Sequence, residues 1–263
     1  MQRRSILQLA VAGALASGVA LPAFAQQGHR PRRLTPGDTV ALVAPASVTY
    51  ESLELQLALE TLEAMGLKVK VGDHVMDRFG YLAGKDEDRA ADINAAFADT
   101  RIDAVFALRG GWGASRILPY LDFDVIRKNP KILLGYSDIT SLLNAVFAKT
   151  GLITFHGPNV MSRWNDFTHQ GMRRVLFEAR AEVYENPVIA DDDLVARDHR
   201  IQTITSGVAE GPLIGGNLTL MSALLGSPYL PSFSGAILFL EDVGEAIYRV
   251  DRMLTQLSLS GEL

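Results

Sequence analysis

The sequence predicts an α/β fold: an N-terminal parallel sheet covered by helices on both faces, followed by a smaller, β-rich C-terminal domain that is incomplete. Three observations carry this expectation. Short apolar runs alternate with amphipathic stretches between residues 39 and 155. Such alternation builds βαβ units, whose strands run parallel. Glycine-rich segments follow two of the apolar runs, at residues 109–113 and 135–138. In open parallel sheets the loops at the carboxyl ends of the strands bind ligands. The pattern then breaks after Pro158 and resumes near Gly211.

Pro36-Gly37-Asp38 is a turn signal, and residues 39–44 (TVALVA) are an apolar run closed by Pro45, which predicts a buried strand. Residues 52–65 carry Leu53, Leu57, Leu59 and Leu62 among acids, with Gly66 as a stop, which predicts a helix. Residues 67–71 alternate like a strand. Residues 86–98 open with Asp86-Glu87-Asp88, where the helix dipole favours acids. Apolar strands are expected at 103–108, 131–134 and 152–155, with a helix over 139–149. Residues 161–205, including Asp191-Asp192-Asp193, are polar and read as an irregular crossing between domains. Beyond it, Gly215-Gly216-Asn217 precedes a helix near 218–225, a strand at 236–240 and a last helix over 247–259. The expected domains are therefore 36–160 and 206–263.

The 263 residues include no cysteine. That excludes a disulfide scaffold, a thiol nucleophile, an iron–sulfur cluster and a thiolate zinc site. A net charge of −5 argues against a broad nucleic-acid-binding face. Residues 1–25 read as an export signal: basic Arg3-Arg4, an uncharged run over residues 6–19, and Ala23-Phe24-Ala25 as the cleavage site. The arginine pair fits a twin-arginine signal as well as an ordinary one. The apolar run is shorter than the roughly 20 residues of a membrane span. Cleavage after Ala25 removes two arginines and no acid, leaving a charge of −7. The expected product is a periplasmic protein with no stable membrane association.

Three constellations could carry chemistry. In Gly135-Tyr136-Ser137-Asp138-Ile139-Thr140 an apolar strand ends, a serine stands at a turn and a helix begins. That is the setting of a nucleophile elbow, with helix N–H groups ready for an oxyanion. Ile139 occupies the last glycine position of the usual G-x-S-x-G, and Ser137 or Asp138 reads equally as a helix cap. In Arg109-Gly110-Gly111-Trp112-Gly113 the glycines let backbone amides approach a ligand, but no nucleotide-binding pattern is met. Glu241-Asp242-Val243-Gly244-Glu245 ends an apolar strand, where a carboxylate can orient a base or sit in a solvated turn. The histidines are His29, His74, His156, His169 and His199, without metal-ligand spacing. His156 follows a strand near the presumed active edge and reads first as a structural strand-end residue.

These stretches together resemble the LD-carboxypeptidase family of serine peptidases, which includes muramoyl-tetrapeptide carboxypeptidases and microcin-C self-immunity peptidases. The resemblance rests on Pro36-Gly37-Asp38 with Val43-Ala44-Pro45-Ala46-Ser47, residues 109–116 (RGGWGASR), Gly135-Tyr136-Ser137-Asp138, residues 154–158 (TFHGP), Gly215-Gly216-Asn217-Leu218, and residues 240–245 (LEDVGE) with 248–252 (YRVDR). It implies a flavodoxin-like or amidotransferase-like N-terminal domain and a Ser–His–Glu triad in the cleft beside it. Ser137 falls on the nucleophile and Glu241 on the triad carboxylate. The oxyanion hole falls on the backbone N–H groups of Gly111 and Asp138, and Gly110, Trp112 and Asn217 are the candidate substrate contacts. The implied reaction removes a terminal D-alanine from a murein tetrapeptide or another peptide ending in a D-residue, with no metal or organic cofactor. A homodimer is an assembly the resemblance allows.

The resemblance assigns the base histidine to a segment following the last helix, and none of the five histidines falls on it. Leu263 lies 22 residues beyond Glu241. The sequence is therefore expected to be a truncated form of a longer protein, with a degenerate copy that only binds murein peptides as the alternative. An exported two-lobed solute-binding protein is a more distant one.

Overall fold

A computed structural model describes residues 28–181, 183–185, 195 and 201–263. The expected export signal, Asp191-Asp192-Asp193 and His199 lie outside the described residues. The N-terminal unit is built on a five-stranded sheet. Its strands are β1 (Thr39–Val43), β2 (Lys68–Val71), β3 (Ala104–Ala107), β4 (Ile132–Gly135) and β5 (Phe155–His156). They lie in the order β2-β1-β3-β4-β5, and every pair is parallel. This is the flavodoxin-like order, with its topological switch between β1 and β3. β1, β3 and β4 are almost wholly buried, which is why they read as unbroken apolar runs.

The helices are α1 (Ser52–Ala64), α2 (Asp86–Ala98), α3 (Phe123–Lys128), α4 (Thr140–Thr150), α5 (Asp166–Leu176), α6 (Leu218–Ala223) and α7 (Ile247–Leu259). One face of the sheet packs Val43, Val105 and Leu133 against Ile93 and Phe97 of α2 and Leu142 and Val146 of α4. The other packs Leu42, Phe106 and Leu134 against Leu62 of α1 and Met172 and Leu176 of α5. No helix among the described residues is long and apolar enough to cross a membrane.

The stretch expected to be an irregular crossing contains α5, so that expectation is corrected over residues 166–176. Asn165 caps the helix by accepting from Thr168 N–H at 2.9 Å, and Met172 and Leu176 bury its inner face. Two short elements were also unforeseen: a 3-10 turn over Ala114–Tyr120, interrupted by Pro119, and α3, which Asp122 caps through Asp124 and Val125 N–H.

The C-terminal unit is a single βαβ arrangement: β6 (Leu213–Asn217), α6, then β7 (Ile237–Glu241), with α7 following. β6 and β7 are parallel, with Gly215 opposite Phe239 and Asn217 opposite Glu241. Ile214, Leu218, Met221, Phe233 and Leu257 form its small core. The unit docks on α4. Asn144 Nδ2 donates to Gly215 O at 3.0 Å, and Asn217 N–H donates to Thr140 Oγ1 at 3.0 Å. Gly216 is required here, because a Cβ would press on the Thr140 side chain at 2.6 Å.

Candidate active site

The site gathers at the carboxyl ends of β1, β3 and β4. β4 ends at Gly135, where a Cβ would meet Ile139 Cγ2 at 2.6 Å, so the chain can turn sharply only with glycine. Tyr136 is extended, and Ser137 then adopts φ +62°, a left-handed conformation that is costly for a non-glycine residue. A single 3-10 turn over Ser137–Ile139 leads into α4. The serine thus stands, partly exposed, on a strained strand-to-helix turn, as a nucleophile elbow requires. Its side chain does not cap the helix, so the capping alternative falls for Ser137.

The glycine loop after β3 packs directly on the elbow. A Cβ on Gly110 would lie 3.2 Å from Ser137 Cβ and 3.3 Å from Tyr136 O. Gly111 has φ +115°, and a Cβ there would collide with the Ser47 side chain. Gly113 also has positive φ, at +108°. Ser47 Oγ accepts from Trp112 N–H at 3.0 Å, while the Trp112 ring is 72% exposed at the rim. Among the described residues the N–H groups of Gly111 and Asp138 meet no hydrogen-bond acceptor. They are therefore available to a developing oxyanion.

Asp138 is 3% exposed, and its carboxylate accepts from Ala114 N–H at 2.7 Å, tying the elbow to the glycine loop. Burial pushes the carboxyl up to about 6, against the Ala114 N–H and the nearby Arg89 charge. The folded protein therefore holds this proton more tightly than the unfolded chain, where an aspartate titrates near 3.8. The stability contributed is full below about pH 4 and is lost as pH rises through about 6. Asp138→Asn, which keeps an oxygen acceptor but no charge, is expected to gain in melting temperature relative to the native protein as pH rises from 4 to 7. Calorimetric scans across that range check the sign; a constant difference would contradict it.

Glu241 ends β7 opposite Asn217 and is half-buried. Burial raises its carboxyl above the usual range, with the adjacent Asn217 amide drawing it back. Its Oε1 is buried without a hydrogen-bond partner among the described residues. Asn217 links it to the elbow: it donates its N–H to Thr140 Oγ1 and caps α6 by accepting from Leu220 N–H at 3.2 Å. Gly110 thus packs on Ser137, Asp138 holds the end of the same glycine loop through Ala114, and Glu241 reaches the elbow through Asn217 and Thr140. Thr140 and the buried Arg89 were missed from sequence; a threonine and an arginine inside predicted helices carry no local signal.

His156 pairs with Gly135 in the β4–β5 ladder, and its ring sits edge-on to Tyr136 (6.2 Å) and Phe239 (5.1 Å). Burial lowers its pKa, and its Nδ1 is buried without a partner among the described residues. No histidine among the described residues hydrogen-bonds Ser137. Beside the elbow lies an open cleft of about 400 Å³ bordered by Tyr136, His156, Ser162, Arg163 and Thr168. Far from Ser137 in sequence, His74, Asp77 and Asp88 each bring one potential ligand atom within 4.8 Å of the others. His74 Nδ1 and Asp77 Oδ2 are already paired at 2.8 Å, which raises the histidine pKa.

Comparison with known proteins bears on this geometry. The LD-carboxypeptidase N-terminal domain matches residues 40–157, and the LD-carboxypeptidase C-terminal domain matches residues 210–263. A probable murein peptide carboxypeptidase of Bacillus subtilis is 41% identical over 239 residues, 89% of this chain and 72% of its own length. The murein tetrapeptide carboxypeptidase of Pseudomonas aeruginosa is 38% identical over 231 residues, 83% of this chain and 70% of its own. Among solved structures, an MccF-like protein from Bacillus anthracis superposes with a TM-score of 0.75 at 28% identity, covering 88% of this chain and 76% of that one.

Proposed function

The chain belongs to the LD-carboxypeptidase family, and on that premise we propose that it is a serine hydrolase that removes the terminal D-alanine from murein tetrapeptides. One observation carries the reading: Ser137 is held at φ +62° between strand and helix, directly against the glycine loop. Ser137 Oγ attacks the carbonyl of the L-configured residue, and a histidine takes its proton. The Gly111 and Asp138 N–H groups receive the oxyanion. The tetrahedral intermediate collapses, the histidine protonates the departing D-alanine amine, and water then hydrolyses the acyl-enzyme. The resemblance assigns that histidine to a segment following α7, and the unpartnered Glu241 Oε1 is suited to orient it. Supporting the substrate class, Arg163 at the cleft rim has no acid partner among the described residues and suits a peptide ending in a free carboxylate. An export signal over residues 1–25 would put this activity in the periplasm.

The test is release of D-alanine by the full-length protein from a tetrapeptide ending in D-alanine. The same peptide with a C-terminal amide, or ending in L-alanine, is expected to be cut at least tenfold more slowly. Equal cleavage of all three would reject the LD-carboxypeptidase reading. Saturable binding without release would leave a murein-peptide-binding protein instead.

A further inference from the structure

We propose that the Asp138 carboxylate and the Arg89 guanidinium are positioning residues that lock the glycine loop against the elbow and so set the oxyanion hole. The inference rests on Ser137 being the nucleophile. Arg89 stands on α2, is 1% exposed, and lies 24 residues before the loop it serves. Its Nη1 donates to Gly113 O at 3.0 Å and also to Pro45 O, so one group spans the loops after β1 and β3. Its Nη2 pairs with Asp86, whose carboxylate also takes Arg116 at 2.8 Å. Arg116 N–H in turn donates to Gly113 O at 3.1 Å.

These contacts act on the three residues that follow Gly111. Trp112 N–H is tied to Ser47 Oγ, Gly113 O to Arg89, and Ala114 N–H to Asp138. Three backbone groups just beyond Gly111 are thus committed, while among the described residues Gly111 N–H is left unpaired. A loop with three glycines has wide conformational freedom, so this orientation must be imposed from outside. A buried guanidinium is costly to desolvate, and Arg89 Nε finds no partner among the described residues. A stability role alone would be served better by apolar packing. Asp138 joins both halves of the hole, because its own N–H is the second donor while its side chain holds the first donor's loop.

The test compares Asp138→Ala, Asp138→Asn and Arg89→Lys with the native full-length protein. Asp138→Ala is expected to lower kcat for D-alanine release about 10²-fold, the size of losing one oxyanion donor, with KM changed less than about threefold. Asp138→Asn should recover kcat to within about tenfold of native, because it still accepts from Ala114 N–H. Arg89→Lys, which keeps the charge but cannot reach both carbonyls, should fall between them. Two readouts are independent of the peptide substrate. Covalent labelling of Ser137 by a phosphonofluoridate should slow in parallel with kcat. Amide exchange at residues 110–114 should quicken in Asp138→Ala while β3 and β4 stay protected. Native labelling without D-alanine release would reject the substrate reading and leave the clamp open to the labelling rates. Native kcat and labelling in Asp138→Ala, or a loss confined to KM, would overturn the clamp. If Asp138→Ala does not fold, Asp138→Asn and Arg89→Lys with native labelling rates would overturn it equally.

Discussion

Ser137→Ala is expected to abolish D-alanine release, by about 10⁴-fold or more, as removal of a hydrolase nucleophile does. The variant should still bind the peptide, because the cleft and glycine loop do not depend on the hydroxyl. Ser137→Gly should be equally inactive but should differ in stability. At φ +62° a serine carries roughly 1–2 kcal/mol of left-handed strain that glycine lacks. Glycine gives back about 0.4–1 kcal/mol through the greater entropy of its unfolded chain. The balance favours the glycine variant by up to about 1.6 kcal/mol. Ser137→Ala keeps the strain and should be no more stable than the native protein. Chemical denaturation of the three proteins measures the order. A dead variant that is also more stable is the signature of strain held for function. Retained release in either variant would remove Ser137 from the mechanism, and a less stable glycine variant would show that the elbow is relaxed.

Most of the N-terminal sheet was legible because burial on both faces leaves no choice of side chain. β1 and β3 read as TVALV and AVFA, and α2 was bounded correctly at both ends by its first-turn acids and apolar spacing. α5 was hidden for the opposite reason. Its eleven residues include His169, Gln170, Gly171, Arg173 and Arg174, so a window dominated by polar residues masks a narrow apolar stripe of Met172 and Leu176. The Asn165 cap was the signal that could have found it. The turn over Ala114–Tyr120 contains a proline, which argues against helix on any local reading.

The site divides along the same line. Ser137, Gly110, Gly111 and Asp138 lie in two short motifs, each directly after a strand, and the topology brings adjacent strand ends together. Glu241 was legible as a strand-end acid, but its link to the elbow runs through Thr140 and Asn217, 77 residues apart. Arg89 reads from sequence as one more charge on an amphipathic helix. Its burial and its contacts with Pro45 and Gly113, 44 and 24 residues away, distinguish it from a solvated one. Local pattern fixes which groups stand at strand ends; it carries no information on which buried charge supports them from below.

Gly215→Ala is expected to destabilise the C-terminal unit by about 3–5 kcal/mol, combining a forbidden backbone angle with overpacking. Gly215 has φ +151°, and a Cβ there would land on the Phe239 carbonyl oxygen in the neighbouring strand. The strand cannot shift to make room, because Asn144 holds Gly215 O and Gly216 is pressed on Thr140. β6 and β7 would have to separate, exposing Ile214, Leu218 and Phe233. Gly226→Ala is the control for strain alone, since that glycine has φ +75° with nothing within 4 Å of its Cβ position. It should cost about 1–2 kcal/mol. The readout is the urea midpoint, followed together with amide exchange in β7. Glu241 lies two residues beyond Phe239 on the displaced strand, so Gly215→Ala should also lose D-alanine release at temperatures where the N-terminal sheet stays folded. Full activity with a loosened β7 would mean that Glu241 is not held in place by this pairing, and would remove it from the triad.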